Sequence, residues 1–234
     1  MNNDFPKFTN EGPILVQEHS TFLTKVYSWM FGALLLTGIV ALWVANSTVA
    51  IEFVFSSKLV FYGLLIAEIL CVGYLSARIN KMSATTAILF FLGYAILNGL
   101  TISVIFLVFT AGSIASTFFI TAGTFGAMSL YGYFTKTDLT SFGNLAIMAV
   151  VGLIIASVVN MFLNSETLYW IVTYLGVFIF VGLTAYDTQK LKRINLANAS
   201  EDTVQKASIM GALNLYLDFV NLFLFLLRMF GRRK

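Results

Sequence analysis

Long apolar runs separated by short polar connections dominate the pattern of this chain. A helix needs about 20 apolar residues to cross a hydrocarbon core about 30 Å thick. Seven stretches reach that length, approximately 26 to 46, 59 to 78, 84 to 109, 112 to 134, 142 to 163, 168 to 188 and 209 to 230. The pattern predicts an all-α polytopic membrane protein: one seven-transmembrane-helix bundle over 26–230, a polar N-terminal tail over 1–25 and a basic C-terminal tail over 231–234. Pro6 and Pro13 both fall in the N-terminal tail, so the spans are expected to lack proline kinks. About twenty polar residues precede the first run, which is long enough to remain in the bilayer as an anchor. In the fourth span Gly123, Gly126, Ser129 and Gly132 recur every three positions, a spacing that predicts close helix packing.

Composition agrees with the pattern. The chain is 59% hydrophobic and 11% charged, against roughly 25% charged in soluble domains. Its net charge of +3 sits in the connections and reads as a topology signal, with no nucleic-acid surface implied. Lys7, Lys25, Arg78, Lys81, Lys136, Lys190, Lys192, Arg193 and Lys206 fall on the side of the N-terminus, and Lys58, Arg232, Arg233 and Lys234 on the other. The positive-inside rule then puts the N-terminus in the cytoplasm and the C-terminus outside. The basic Gly-Arg-Arg-Lys end leaves a second topology open, in which the last segment is re-entrant and six spans remain. Cys71 and His19 are the only residues of their kinds, too few for a disulfide framework, a thiolate or imidazole metal cluster or a histidine triad. His19 reads as a solvated tail residue and Cys71 as a lipid-facing or packing residue. The triplets Asn46-Ser47-Thr48 and Asn198-Ala199-Ser200 fit a glycosylation pattern too short to carry weight.

Charges inside the spans need a reason, since each costs at least about 2.5 kcal/mol at the helix centre. Glu68, Asp187, Asp218 and Arg228 lie within the apolar runs, with Arg78 at a boundary. Arg228, near the outer end of its helix, can snorkel or pair with an acid. At about 100° per residue, Asn214, Asp218, Asn221 and Arg228 share an arc of about 80° on the last helix, which makes that helix the expected centre of the bundle. At about 1.5 Å per residue, Asp218 lies about 21 Å in from Arg232 and about 9 Å from the cytoplasmic edge of a ~30 Å core. Asp187 and Arg78 lie near the same level, and Glu68 near the midplane. A column of acids along one polar path is the expectation.

Two carboxylates at hydrogen-bond distance in a low dielectric share a proton and titrate as a pair. Protonated, the pair clasps the sixth and seventh helices; deprotonated, it repels or binds a bridging cation. Arg78 is expected to pair with whichever aspartate is ionised. Calcium suits two carboxylates as a weak, transient ligand set.

The segments FVGLTAYDTQKLKR, GALNLYLDFVNLFLFLLR and TFGAMSLYGYFTKTDLTSFGN resemble the Bax inhibitor-1 family of transmembrane Bax-inhibitor-motif proteins, in its bacterial inner-membrane branch. The resemblance covers nearly the whole chain after the tail. It implies seven helices with the last surrounded by the other six, and a pH-sensitive calcium leak governed by Asp187 and Asp218. It implies Arg78 as the partnering arginine, Glu68 as the second-helix glutamate and Arg228 as the late basic residue. It also implies a possible regulatory link to a membrane-embedded AAA protease, and residence in a bacterial inner membrane. The family's cell-death role in eukaryotes does not transfer to a bacterial-type chain.

A dyad on the sixth and seventh helices also resembles that of intramembrane aspartyl proteases. Those carry glycine two residues before the second aspartate and a later Pro-Ala-Leu turn, whereas Tyr216 stands here and no proline follows Pro13. The expectation is therefore a non-enzymatic, cofactor-free, proton-gated cation pathway carrying calcium. Asp187, Asp218 and Arg78 form its gate; Glu68, Asn214 and Asn221 lie along it. The alternatives are a non-conducting regulator of another membrane protein, acting through its tail and the 189–206 loop, and a proton-coupled transporter of organic solutes.

Overall fold

The structure, a computed structural model, describes residues 13–55, 57–194 and 199–234, with side chains from Ser20 onward. Its helices are α1 (Pro13–Ala45), α2 (Thr48–Phe55), α3 (Lys58–Arg78), α4 (Ala84–Ile102), α5 (Val104–Val108), α6 (Ala111–Phe134), α7 (Thr140–Leu163), α8 (Glu166–Lys192) and α9 (Glu201–Phe230). With α4 and α5 taken as one run, seven are long and apolar enough to cross a membrane. The chain is a helical polytopic membrane bundle.

Side-chain caps set most helix starts. Ser57, Ser83, Thr110, Ser165 and Ser200 each accept a hydrogen bond from a backbone N–H in the first turn of α3, α4, α6, α8 and α9. Asn164 ends α7 in the left-handed region at φ 49°. α1 begins earlier than its apolar run implied. Pro13 is the first described residue and is already helical. The expected tail over 1–25 is therefore helical from residue 13. Residues 1–12, the side chain of His19 and Asn198 lie outside the described residues. α2 fills a connection that carried no expected element.

The third span is interrupted, without proline. Ser103 turns its hydroxyl onto the carbonyl of Leu100 (2.6 Å), and α4 gives way to α5 at Ser103.

α9 packs on α1, α4, α6 and α8. Its apolar stretch is 72% buried, against 50% for α4–α5 and 6% for α3. Small residues permit close crossings, though not along the whole expected stripe. At Gly132 a Cβ would run into the backbone of Ala185 on α8, whereas at Gly123 and Gly126 it would meet nothing within 4 Å. Ser129 is buried.

The C-terminal residues are fastened, not loose. Arg232 O accepts from Thr110 N (3.0 Å), Arg232 N donates to Ser113 Oγ (3.0 Å) and Lys234 N donates to Val108 O (2.9 Å). They join the turn between α5 and α6, at the end of the bundle opposite the α8–α9 connection. α9 is continuous over 30 residues, about 45 Å at 1.5 Å per residue, and offers no break at which a re-entrant segment would double back.

Candidate functional site

The last turns of α8 are tied to the connection between α6 and α7. Buried Gln189 accepts from Leu139 N (2.9 Å) and donates to Thr137 O (2.8 Å), filling two backbone groups that the connection leaves open. Lys192 donates to Tyr133 O (2.9 Å), and Arg193 pairs with Asp138 (2.8 Å). Asp138 also accepts from the Thr140 hydroxyl (2.6 Å) and backbone N–H (3.0 Å); those bonds, then the Arg193 guanidinium, pull its carboxyl from an ordinary 3.8 down to about 2. With the Gly132–Ala185 crossing, these contacts fix Asp187 one turn before the end of α8.

Asp187 and Asp218 face each other there, their carboxyl groups close enough to act on one another. Asp218 is 4% exposed, and its Oδ2 has no hydrogen-bond partner among the described residues. Two facing carboxyls, both acceptors when ionised, need a proton between them to bond. The charge that reaches Asp187 is Lys190, one turn on. Arg78 does not fill that role: it is exposed at the end of α3, and among the described residues it makes no ion pair with either aspartate. α3, which carries Arg78, packs on α2 and α4.

Glu68 forms a second centre. It is 9% exposed and accepts from Thr101 Oγ1 (2.6 Å) and Asn98 Nδ2 (3.2 Å). Asn98 Oδ1 accepts from Tyr216 Oη (2.9 Å), which lies 2.7 Å from Thr37 Oγ1. A polar chain thus links α1, α9, α4 and α3. From Tyr216 onward its donors point toward Glu68, the polarity that a carboxylate acceptor imposes, while the Thr37 hydroxyl donates to Ala95 O (2.9 Å). Beside it a cavity of about 440 Å³ is bordered by Glu68, Tyr94, Asn98, Thr101, Asn221 and Arg228.

The expected column of acids is therefore two sites. Tyr216 and Asp218 lie about 200° apart on α9, so Glu68's network occupies one side of that helix and the aspartate pair another. Neither aspartate borders the Glu68 cavity. Asn221 does, while its amide nitrogen donates to Leu217 O (2.8 Å). Asn214 is half-buried and borders neither. Arg228 is exposed, lies 5.9 Å from the centre of the Tyr169 ring and 5.4 Å from that of Phe225, and makes no ion pair among the described residues. It also borders a cavity of about 260 Å³ between α7 and α8. Cys71, half-buried, donates weakly to Phe90 O (3.5 Å), a packing role. Among the described residues no group of three or more His, Cys, Asp or Glu could hold a metal ion.

Thr37, Asn98, Thr101 and Tyr216 escaped sequence reasoning. Single hydroxyls and amides recur in apolar spans, and their one available signal was proximity in depth to Glu68.

A family model described as inhibitor of apoptosis-promoting Bax1 matches residues 19–234. The Escherichia coli K12 inner membrane protein YbhL is 55% identical over 216 residues, 92% of each chain. A Borreliella burgdorferi protein is 42% identical over 214 residues, 91% of this chain and 92% of its own. The Lactococcus lactis protein YrjE is 36% identical over 232 residues, 95% and 97% of the two chains.

Proposed function

This chain belongs to the Bax inhibitor-1 family, and from that membership and the buried acid pair we propose that it is a pH-sensitive calcium leak of a bacterial inner membrane. The observation that carries the reading is the contact between Asp187 and Asp218 inside the bundle. While one proton is shared, the carboxyls bond and hold α8 to α9. When the proton leaves, two like charges face each other in a low dielectric, and either the helices part or a cation enters to bridge them. Calcium, a hard cation that takes oxygen ligands, suits the role, and two carboxylates bind it weakly enough to release it. The Glu68 cavity supports a cation-attracting vestibule on the far side of α9, with Asn221 and Arg228 on its wall. The proposed orientation puts the α8–α9 connection and the N-terminus in the cytoplasm, following the distribution of lysine and arginine.

Calcium flux into liposomes containing the purified protein tests this. Leak is expected to rise with pH in the parent, and Asp187→Asn or Asp218→Asn is expected to remove that dependence. Unchanged dependence in both variants rejects the gate. The rival function, a non-conducting regulator of a membrane-embedded AAA protease or another membrane protein, predicts no flux in the parent and retained partner capture by both variants.

A further inference from the structure

α1 turns one face toward two cavities whose chemistry runs in the order of an amphiphile. Near its start Ser20, Thr24, Tyr27 and Ser28, with Tyr133 of α6, border an open cavity of about 530 Å³. Farther along, Leu34, Gly38 and Ala41, with Ile114 and Phe118 of α6, border a smaller one of about 120 Å³ with an almost wholly apolar wall. Positions 20, 24, 27, 31, 34, 38 and 41 follow three- and four-residue intervals, so they form a single stripe. α1 and α6 both pack on α8 and α9, and each cavity takes residues from both, with α4, α5 and α9 closing the smaller one, so the two lie in line along a groove between α1 and α6.

We propose that this groove binds one phospholipid from the leaflet nearest the start of α1, its phosphate among the hydroxyls and an acyl chain in the apolar cavity. Three features select this occupant. The polar and apolar ends follow the headgroup-to-tail order of a leaflet. The middles of the two stretches of α1 are about 12 residues apart, or about 18 Å, close to the 20–22 Å that one leaflet spans with its headgroups. Lys192 brings a positive charge to the polar rim, its Nζ 4.9 Å from the centre of the Tyr133 ring and bonded to the Tyr133 carbonyl, where a phosphate would lie.

Native mass spectrometry of the detergent-purified chain is the test. At both Gly38 and Gly123 a Cβ would meet nothing within 4 Å, but only Gly38 borders the groove. The parent and Gly123→Leu are expected to retain one phospholipid per chain, and Gly38→Leu, whose Cβ meets nothing and whose side chain would occupy the acyl site, to lose that adduct while keeping its helical circular dichroism. Should Gly38→Leu fail to fold, the paired Thr24→Val, Ser28→Ala variant is expected to weaken the adduct from the headgroup end. A parent with no phospholipid adduct, with detergent or a second copy of the chain in its place, overturns the proposal. So does equal retention in Gly38→Leu and Gly123→Leu, or full retention in the hydroxyl-depleted variant when Gly38→Leu cannot be read.

Discussion

Gln189 is a polar residue whose value lies in two backbone groups of another segment. Replacing it with leucine keeps the volume but strands Leu139 N and Thr137 O, and a buried group left unmatched costs about 1–3 kcal/mol. A lower unfolding midpoint in thermal or denaturant scans is the expected reading. Asp138 yields a prediction of the opposite kind. Its carboxyl is held down near 2 from an ordinary 3.8, so whatever its bonds contribute is complete above about pH 4 and fades only as pH falls toward 2. The clasp to Arg193 stays constant through physiological pH, and Asp138→Asn is expected to leave the pH midpoint of calcium leak where it was in the parent; a shifted midpoint would assign part of the sensing to this connection. Asp187, Asp218 and Glu68 were legible in the sequence because an acid in an apolar run demands a partner. Arg78 was misassigned because counting along a helix gives depth, not the direction in which a side chain points.

Among the helices, α6 and α8 depend on a crossing that only glycine allows. Gly132→Leu is expected to disrupt the α6–α8 interface and lower the yield of folded protein in detergent, whereas Gly123→Leu is expected to be tolerated, a difference that size-exclusion profiles would expose. The repeat of small residues was visible in sequence, but it could not say which members touch a neighbour: the spacing is common to all four positions, yet only Gly132 and buried Ser129 are covered. Apolar length located all seven long runs, because a run of that size has few alternatives to a helix in lipid. The helical stretch of α1 before residue 26, the extra helix α2 and the break at Ser103 were not legible, since they lie outside the apolar pattern or rest on hydroxyls at single residues.

For the whole molecule, the tail's attachment to the α5–α6 turn predicts that residue 234 and residue 164 label from one side of the membrane and residue 137 from the other. Single cysteines introduced at these positions in a Cys71→Ser background, probed with an impermeant thiol reagent on spheroplasts, check that arrangement. Labelling of residues 137 and 234 from the same side would contradict it. The proposed leak depends above all on one shared proton between α8 and α9. Infrared spectroscopy of the reconstituted protein can follow the carbonyl band of a protonated carboxyl while calcium flux is recorded on the same vesicles. A single carboxyl band lost at the pH where leak begins is the predicted result, and a band that persists through that onset, or that never exists, would contradict it.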